Sequence, residues 1–283
     1  MLVSLRRGLA APNFAENPGD LVRLGIAAEE AGFDGFFLWD HVLFANDGRG
    51  PDIQDPWLVL ALIAEHTERI TIGTMITPLS RRRPSVLARQ CTTLDRISNG
   101  RLVLGVGIGS PPRGDFELFG DESDDVVRAE MLDEGLDVLQ GLWSGEPYSH
   151  SGEHYTVTDV RFTPTPVQRP RIPIWVGGTL PRRRPMLRAS RWDGAVPITW
   201  SGGRLARPTA EQIRWVRDLC RQHRSVGAAA FELAVWAEVA QDRGGLAGEL
   251  PAYLDAGATW WIETAKPEDG WYDGLVTRIH EGV

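Results

Sequence analysis

Residues 70–109 read ITIGTMITPLSRRRPSVLARQCTTLDRISNGRLVLGVGIG. A short apolar run covers 70–76, Pro84 opens a segment of helical period that lasts to residue 97, and a second apolar run covers 102–106. A strand covered on both faces carries an unbroken apolar run, and proline suits the first turn of a helix. The stretch therefore predicts strand, helix and a second strand parallel to the first. Upstream, the pattern gives a strand at 3–9, a helix at 20–31 ended by Gly32, the wholly apolar strand 35–39, and a helix at 57–66 that Asp55 caps and Pro56 opens. Downstream it gives helices at 126–143, 185–191, 211–224, 246–256 and 272–279, and strands at 173–176, 194–198, 231–237 and 259–263.

Eight strands alternating with eight helices predict a closed (β/α)8 TIM barrel. It is read as one domain over 1–283, with a loop excursion between the fourth and fifth strands. Residues 109–125 are polar, and 145–172 read as a long loop with a short extended piece, HYTVTDVRF. The rival is a doubly wound open sheet. It requires a glycine-rich fingerprint after the first strand, and residues 9–20, LAAPNFAENPGD, do not supply one.

The net charge of −8 argues against a nucleic-acid or anionic-membrane surface, and no run of 18 apolar residues exists for a membrane span. The N-terminal stretch reads as a strand rather than a signal peptide. Cys91 and Cys220 read as two buried thiols, so the expected compartment is the cytoplasm. Lys266, the one lysine, lies in the polar stretch AKPEDG, a poor setting for Schiff-base chemistry. The six histidines show no metal-ligand spacing and no metal is expected; the serine-hydrolase motif G-x-S-x-G is absent as well.

A barrel places its chemistry at the C-terminal ends of its strands. The second strand ends in Asp40-His41, an acid beside an imidazole, and both do proton work when their surroundings allow it. The plainer alternative is that Asp40 caps the turn and His41 packs. After the fourth strand come Gly105, Gly107, Ile108 and Gly109; after the fifth, Val176, Gly177, Gly178 and Thr179, followed by Arg182, Arg183 and Arg184. Glycines admit a close approach by a flat or anionic ligand. Amides at a strand-to-helix transition, with a hydroxyl and arginines, read as a phosphate site, against the alternative of a tight turn with a solvated basic face.

The segments GFDGFFLWDH (32–41), the whole of 70–109, FTPTPVQRPRIPIWVGG (162–178) and RWDGAVP (191–197) resemble the bacterial luciferase-like superfamily of flavin- and deazaflavin-dependent oxidoreductases. The resemblance implies the (β/α)8 barrel and a non-prolyl cis peptide at Met75–Ile76 beneath the cofactor ring. It also implies that residues 107–109 run along the cofactor, that Gly177 and Gly178 offer phosphate-binding amides, that Asp40 contacts the cofactor, and that His41 lies near the reactive ring. Homodimers through the second and third helices are common in that family. Here those helices carry Trp57, Leu58, Leu60, Leu62, Val86, Leu87 and Leu94, more apolar surface than a barrel can face. One departure stands out. Where the deazaflavin-dependent sugar-phosphate dehydrogenases place an acid directly after the strand-four glycines, this chain has Ser110. Either proton transfer falls to another group, His41 with Asp40 or another carboxylate to orient it, or the reaction needs no acid there. With little excursion after the seventh strand, the cleft is either open or closed mainly by 42–54 and 145–165.

The expected cofactor is the deazaflavin F420, with FMN as the alternative. The tail of F420 is rich in negative charge, which Arg81, Arg82 and Arg83, or Arg182, Arg183 and Arg184, are placed to meet. The leading reading is hydride transfer between F420 and an unidentified small organic substrate. The others are an FMN-dependent monooxygenase or reductase of the same fold, a non-catalytic cofactor-binding protein, and a hydrolase or isomerase pairing Asp40 with Glu238 or Glu263.

Overall fold

The chain begins its regular structure with β1 (Arg6–Ala11), α1 (Pro18–Glu30), β2 (Gly35–Leu38), α2 (Pro56–Glu65), β3 (Thr71–Pro78), α3 (Pro84–Ile97) and β4 (Leu102–Gly107). It continues with α4 (Pro112–Asp115), α5 (Asp125–Trp143), β5 (Pro147–Ser151), β6 (Thr156–Arg161), β7 (Ile174–Thr179), α6 (Arg183–Ala189), β8 (Gly194–Ser201) and β9 (Arg204–Ala206). Last come α7 (Ala210–His223), β10 (Glu232–Glu238), α8 (Arg243–Ala256), β11 (Trp260–Thr264) and α9 (Trp271–His280). This computed structural model describes residues 5–45, 47–110, 112–202, 204–224, 230–238, 243–264 and 270–281, so Lys266 lies outside the described residues.

The hydrogen-bonded strand order is β10-β11-β1-β2-β3-β4-β7-β8, and β8 pairs back to β10. The eight strands thus close as the (β/α)8 barrel that the alternation predicts, with parallel ladders such as β3–β4, β7–β8 and β10–β11. Three details differ from the sequence reading. The first strand runs to Ala11 rather than stopping at residue 9. The sixth barrel strand continues to Ser201 and folds back as β9. The excursion at 145–172 contains an antiparallel hairpin, β5 with β6, rather than one extended piece.

The chain forms two compact units. One comprises Met1–Pro12, Leu24–Phe37 and Pro173–Val283. Its core is aromatic: the rings of Phe37, Trp175 and Trp260 lie 5.4–6.0 Å apart in tilted and edge-on pairs, geometry that suits the ring quadrupoles. Glu263, buried on β11, is bound by Arg278 of α9 and lies 3.8 Å from Arg7. The other unit comprises Asn13–Arg23 and Leu38–Ile172. There Arg101 donates to the carbonyls of Ala64, Thr67, Ile70 and Ser98, joining the end of α2 to the starts of β3 and β4. Asp95 accepts from the amides of Val167 and Gln168 and fixes the return segment. Asp55 caps α2 through the amides of Trp57 and Leu58, as its place in the sequence predicts.

Candidate active site

The site is built from segments that follow β1, β2, β3 and β4. At the end of β3 the peptide Met75–Ile76 is cis, as the family resemblance implies. The β3–β4 ladder slips there, with Thr74 opposite Leu104 and Thr77 opposite Val106, so β3 carries one extra residue across the bulge. Gly105 faces this bulge, and a Cβ there would overlap the carbonyl oxygen of Thr74. Gly107 ends the ladder opposite Pro78. Ile108 and Gly109 leave β4 with their carbonyls turned to Arg128 of α5, at 2.6 and 3.3 Å from Nη1.

Asp40 takes a different part from the one expected. Its carboxylate is fully buried and held by four side chains. Arg82 donates from Nε and Nη2 at 2.9 and 2.6 Å, Arg81 from Nη2 at 3.1 Å, Thr77 from its hydroxyl at 2.8 Å, and Trp57 from Nε1 at 3.3 Å. Arg81 also donates to the Asp40 carbonyl at 2.5 Å. Burial by itself would raise the Asp40 pKa, but the charges of Arg82 and Arg81 and the hydrogen bonds outweigh it and hold the carboxyl below its ordinary range. A carboxylate so occupied makes no hydrogen bond to His41 among the described residues and has no proton to give near neutrality. The expectations that Asp40 orients His41 and does proton work are corrected. So is the reading of Arg81 and Arg82 as partners for a cofactor tail, because both guanidiniums are engaged inside the protein. The carboxylate-pair alternative weakens as well: Asp40 and Glu263 are each neutralised by arginines.

The partner of His41 is Asp115, at the end of α4. His41 Nδ1 lies 2.7 Å from Asp115 Oδ2. Asp115 Oδ1 accepts from the amides of Val42 and Leu43 at 2.9 and 3.0 Å. Asp115 is completely buried. Burial would push its carboxyl up, yet the hydrogen bond and charge of His41, the Leu43 amide and the charge of Arg81 together hold it below the ordinary carboxylate range. The ionised carboxylate accepts a hydrogen bond from Nδ1–H, and Nε2 is then the ring nitrogen without a protein partner among the described residues. The backbone of His41 is fixed too. Asn13 Nδ2 donates to its carbonyl at 2.9 Å, and the His41 amide donates to Asn13 Oδ1 at 3.3 Å. The rings of Phe44, Trp39 and Phe14 border the imidazole, with centroids 4.9, 5.7 and 6.2 Å away. Segment 42–54 is tied down by Asn13, which also donates to Gln54, and by the bridge of Phe14 to Ile53.

Asp115 and Asn13 were not singled out by sequence reasoning. Asn13 lies two residues past the end of β1, a position that could have been weighed. Asp115 follows the strand-four glycines by a few residues, so its signal was an acid displaced along the chain from Ser110. Segment 145–165, expected to close the cleft, instead forms a hairpin held to α5: Glu134 accepts from His150 Nε2 at 3.0 Å and from the amides of His154 and Tyr155.

In the other unit, Val176, Gly177, Gly178 and Thr179 are strand residues, paired in register with Ala195, Val196, Pro197 and Ile198 of β8. The next helix begins only at Arg183, so these amides do not stand at a helix start as expected. A Cβ on Gly178 would overlap the Pro185 ring, which explains the glycine by packing against α6. Among the described residues no cluster of His, Cys, Asp and Glu is arranged to hold a metal, and no helix is long and apolar enough to cross a membrane.

The family model described as luciferase-like monooxygenase matches residues 2–240. An F420-dependent glucose-6-phosphate dehydrogenase of Microbacterium testaceum (strain StLB037) is 34% identical over 183 residues, covering 64% of this chain and 53% of that relative. A second protein of that description, from Amycolatopsis mediterranei (strain U-32), is 26% identical over 294 aligned positions, covering 94% and 86%. The chain thus spans about half the length of the first of these relatives and most of the second. Among solved structures, an F420-dependent secondary alcohol dehydrogenase in complex with an F420–acetone adduct superposes with a TM-score of 0.77 at 16% identity, over 98% of both chains. A long-chain alkane monooxygenase gives 0.74 at 14% identity, over 99% of this chain and 91% of the other. At these identities the likeness is one of fold.

Proposed function

Because the chain belongs to the luciferase-like monooxygenase family, we propose that it is an oxidoreductase that transfers hydride between the deazaflavin F420 and a small organic substrate, with His41 as the proton-handling residue. One observation carries the reading: Asp115 binds His41 Nδ1, so Nε2 is the ring nitrogen left without a protein partner among the described residues, in an aromatic surround. The F420-dependent relatives supply the choice of cofactor.

The residues present suit a flat ring. A bulge lies near the end of β3, Gly107 closes β4 beside it, and aromatic rings border the imidazole of His41. F420 when bound supplies the hydride chemistry. His41 gives or takes the accompanying proton at Nε2. Asp115 fixes the tautomer at Nδ1 and stabilises the imidazolium that forms. Asp40 keeps Arg81 and Arg82 neutralised beneath the strand ends. Met75, Ile76, Gly107, Ile108 and Gly109 are proposed to contact the ring, and Val176, Gly177, Gly178 and Thr179 the phosphate.

The proposal also holds that the chain works as one domain, in the cytoplasm and as a homodimer. Both thiols are free and buried, and burial pushes Cys220 up to about 12, which suits a reducing compartment where neither reacts. Of the apolar residues on α2 and α3, Trp57, Leu60, Leu87 and Leu94 face inward, while Leu58, Val86 and Leu62 are 71%, 55% and 49% exposed. That is an apolar face of the kind a second copy covers.

Titration of the purified protein with F420 and separately with FMN, followed by ring fluorescence, tests the cofactor. Saturable binding of F420, at least about tenfold tighter than that of FMN, is expected. Thr179→Asp should weaken it by setting a carboxylate against the phosphate. Preference for FMN would reassign the protein to flavin chemistry.

A further inference from the structure

We propose that Arg128 is a positioning residue for the His41–Asp115 pair, clamping both ends of the turn that carries Asp115. The inference rests on the reading of His41 as the proton-handling group. Arg128 lies in the first turn of α5 with its side chain buried. Its Nη1 donates to the carbonyls of Ile108 and Gly109, at 2.6 and 3.3 Å. The guanidinium carbon sits 4.3 Å from the centre of the Phe116 ring, within cation–π range. One group thereby touches the chain before and after α4. Phe116, next to Asp115, is wholly buried.

A guanidinium is an expensive way to fill such a space. Its carboxylate partner, Asp125 at 2.6 Å, is itself exposed and screened by solvent, so the ion pair recovers little of the cost of burying the charge. A methionine would fill the volume with less desolvation. What methionine lacks is a planar fork of donors able to hold two carbonyls while its face stacks on a ring. The segment so held is the one that delivers an acid to His41. The regular structure local to Asp115 is short: the single turn of α4 and the 3-10 turn Glu117–Phe119 that follows it.

The test uses the whole protein with ¹⁵N-labelled histidine and reads the His41 tautomer by NMR, assigned with His41→Gln. In the wild type the neutral ring should carry its proton on Nδ1, donated to Asp115. Asp115→Asn should move it toward the Nε2–H form that a free imidazole favours. Arg128→Met should move it at least halfway to the Asp115→Asn position. Phe116→Leu, a milder change that keeps the site apolar, should move it in the same direction by less. His66 and His223, whose Nδ1 atoms bond the carbonyls of Leu62 and Leu219, report an intact fold by keeping their signals. If Arg128→Met unfolds the protein, Phe116→Leu decides. A wild-type His41 tautomer in a folded Arg128 variant, with Asp115→Asn displaced, would overturn the clamp and leave the pair standing. A wild-type tautomer in Asp115→Asn would overturn the pair, and the clamp with it. Neither outcome depends on which cofactor binds.

Discussion

Two buried aspartates sit at the ends of neighbouring elements, and their surroundings give them opposite work. Asp40 is acceptor to two arginines, a threonine and a tryptophan, while Asp115 is acceptor to an imidazole and two amides. Asp40→Asn would leave Arg81 and Arg82 buried without their counter-charge, and removing one member of such a cluster costs about 3–5 kcal/mol. Urea denaturation should show that loss at pH 7. The sign with pH follows from the lowered carboxyl. Its folded pKa lies below the unfolded value near 3.9, so its stabilisation is present above that value and is lost as pH falls through the folded one. The variant and the wild type should therefore converge in stability only in strong acid. Equal stability at pH 7 would mean that the arginines find other partners. The aspartate beside His41 in the sequence was easy to see and its role easy to misread, because both residues lie past the end of β2 at Leu38, where chain order does not say which neighbours each side chain meets. The arginines that claim Asp40 come from the triplet after β3, which reads as charge for a cofactor tail until the fold turns two of them inward.

At the scale of elements, legibility tracked apolar pattern. Strands β2, β3, β4 and β7 announced themselves because each is covered on both faces, and α2 because Asp55 and Pro56 mark its start. Hairpin β5–β6 was obscure because PYSHS alternates only half-buried and exposed positions, with no apolar face to betray a strand. The turn holding Asp115 was obscure for a related reason. The side-chain contacts that hold Asp115 come from His41, Val42 and Leu43, far away in sequence, and PPRGDF has no period of its own. Helices α2 and α3 lead to a prediction at this scale. Leu58 and Leu62 stand one turn apart on the outer face of α2, with Val86 exposed on α3. Light scattering at micromolar concentration should give a dimeric mass for the wild type. Leu58→Glu combined with Leu62→Glu should give a folded monomer, since two carboxylates would have to be desolvated at the interface. A monomeric wild type would remove the dimer from the proposal.

For the molecule as a whole, the closed parallel sheet brings residues distant in sequence to the C-terminal ends of its strands, where a barrel does its chemistry. His41, Asp115 and Asn13 meet at such ends, on segments that share no local sequence signal. Holding a cofactor and using it are separate properties, and a protein that only stored F420 would show the first without the second. Single-turnover stopped flow separates them: protein loaded with reduced F420 is mixed with carbonyl and conjugated acceptors, and return of the oxidised ring is followed by absorbance. Re-oxidation that requires both protein and acceptor is expected for at least one acceptor, slowed about 10²–10⁴-fold in His41→Ala at unchanged F420 affinity. Tight F420 binding with no acceptor-dependent re-oxidation, or a His41→Ala rate equal to that of the wild type, would contradict a hydride-transfer enzyme whose proton passes through His41.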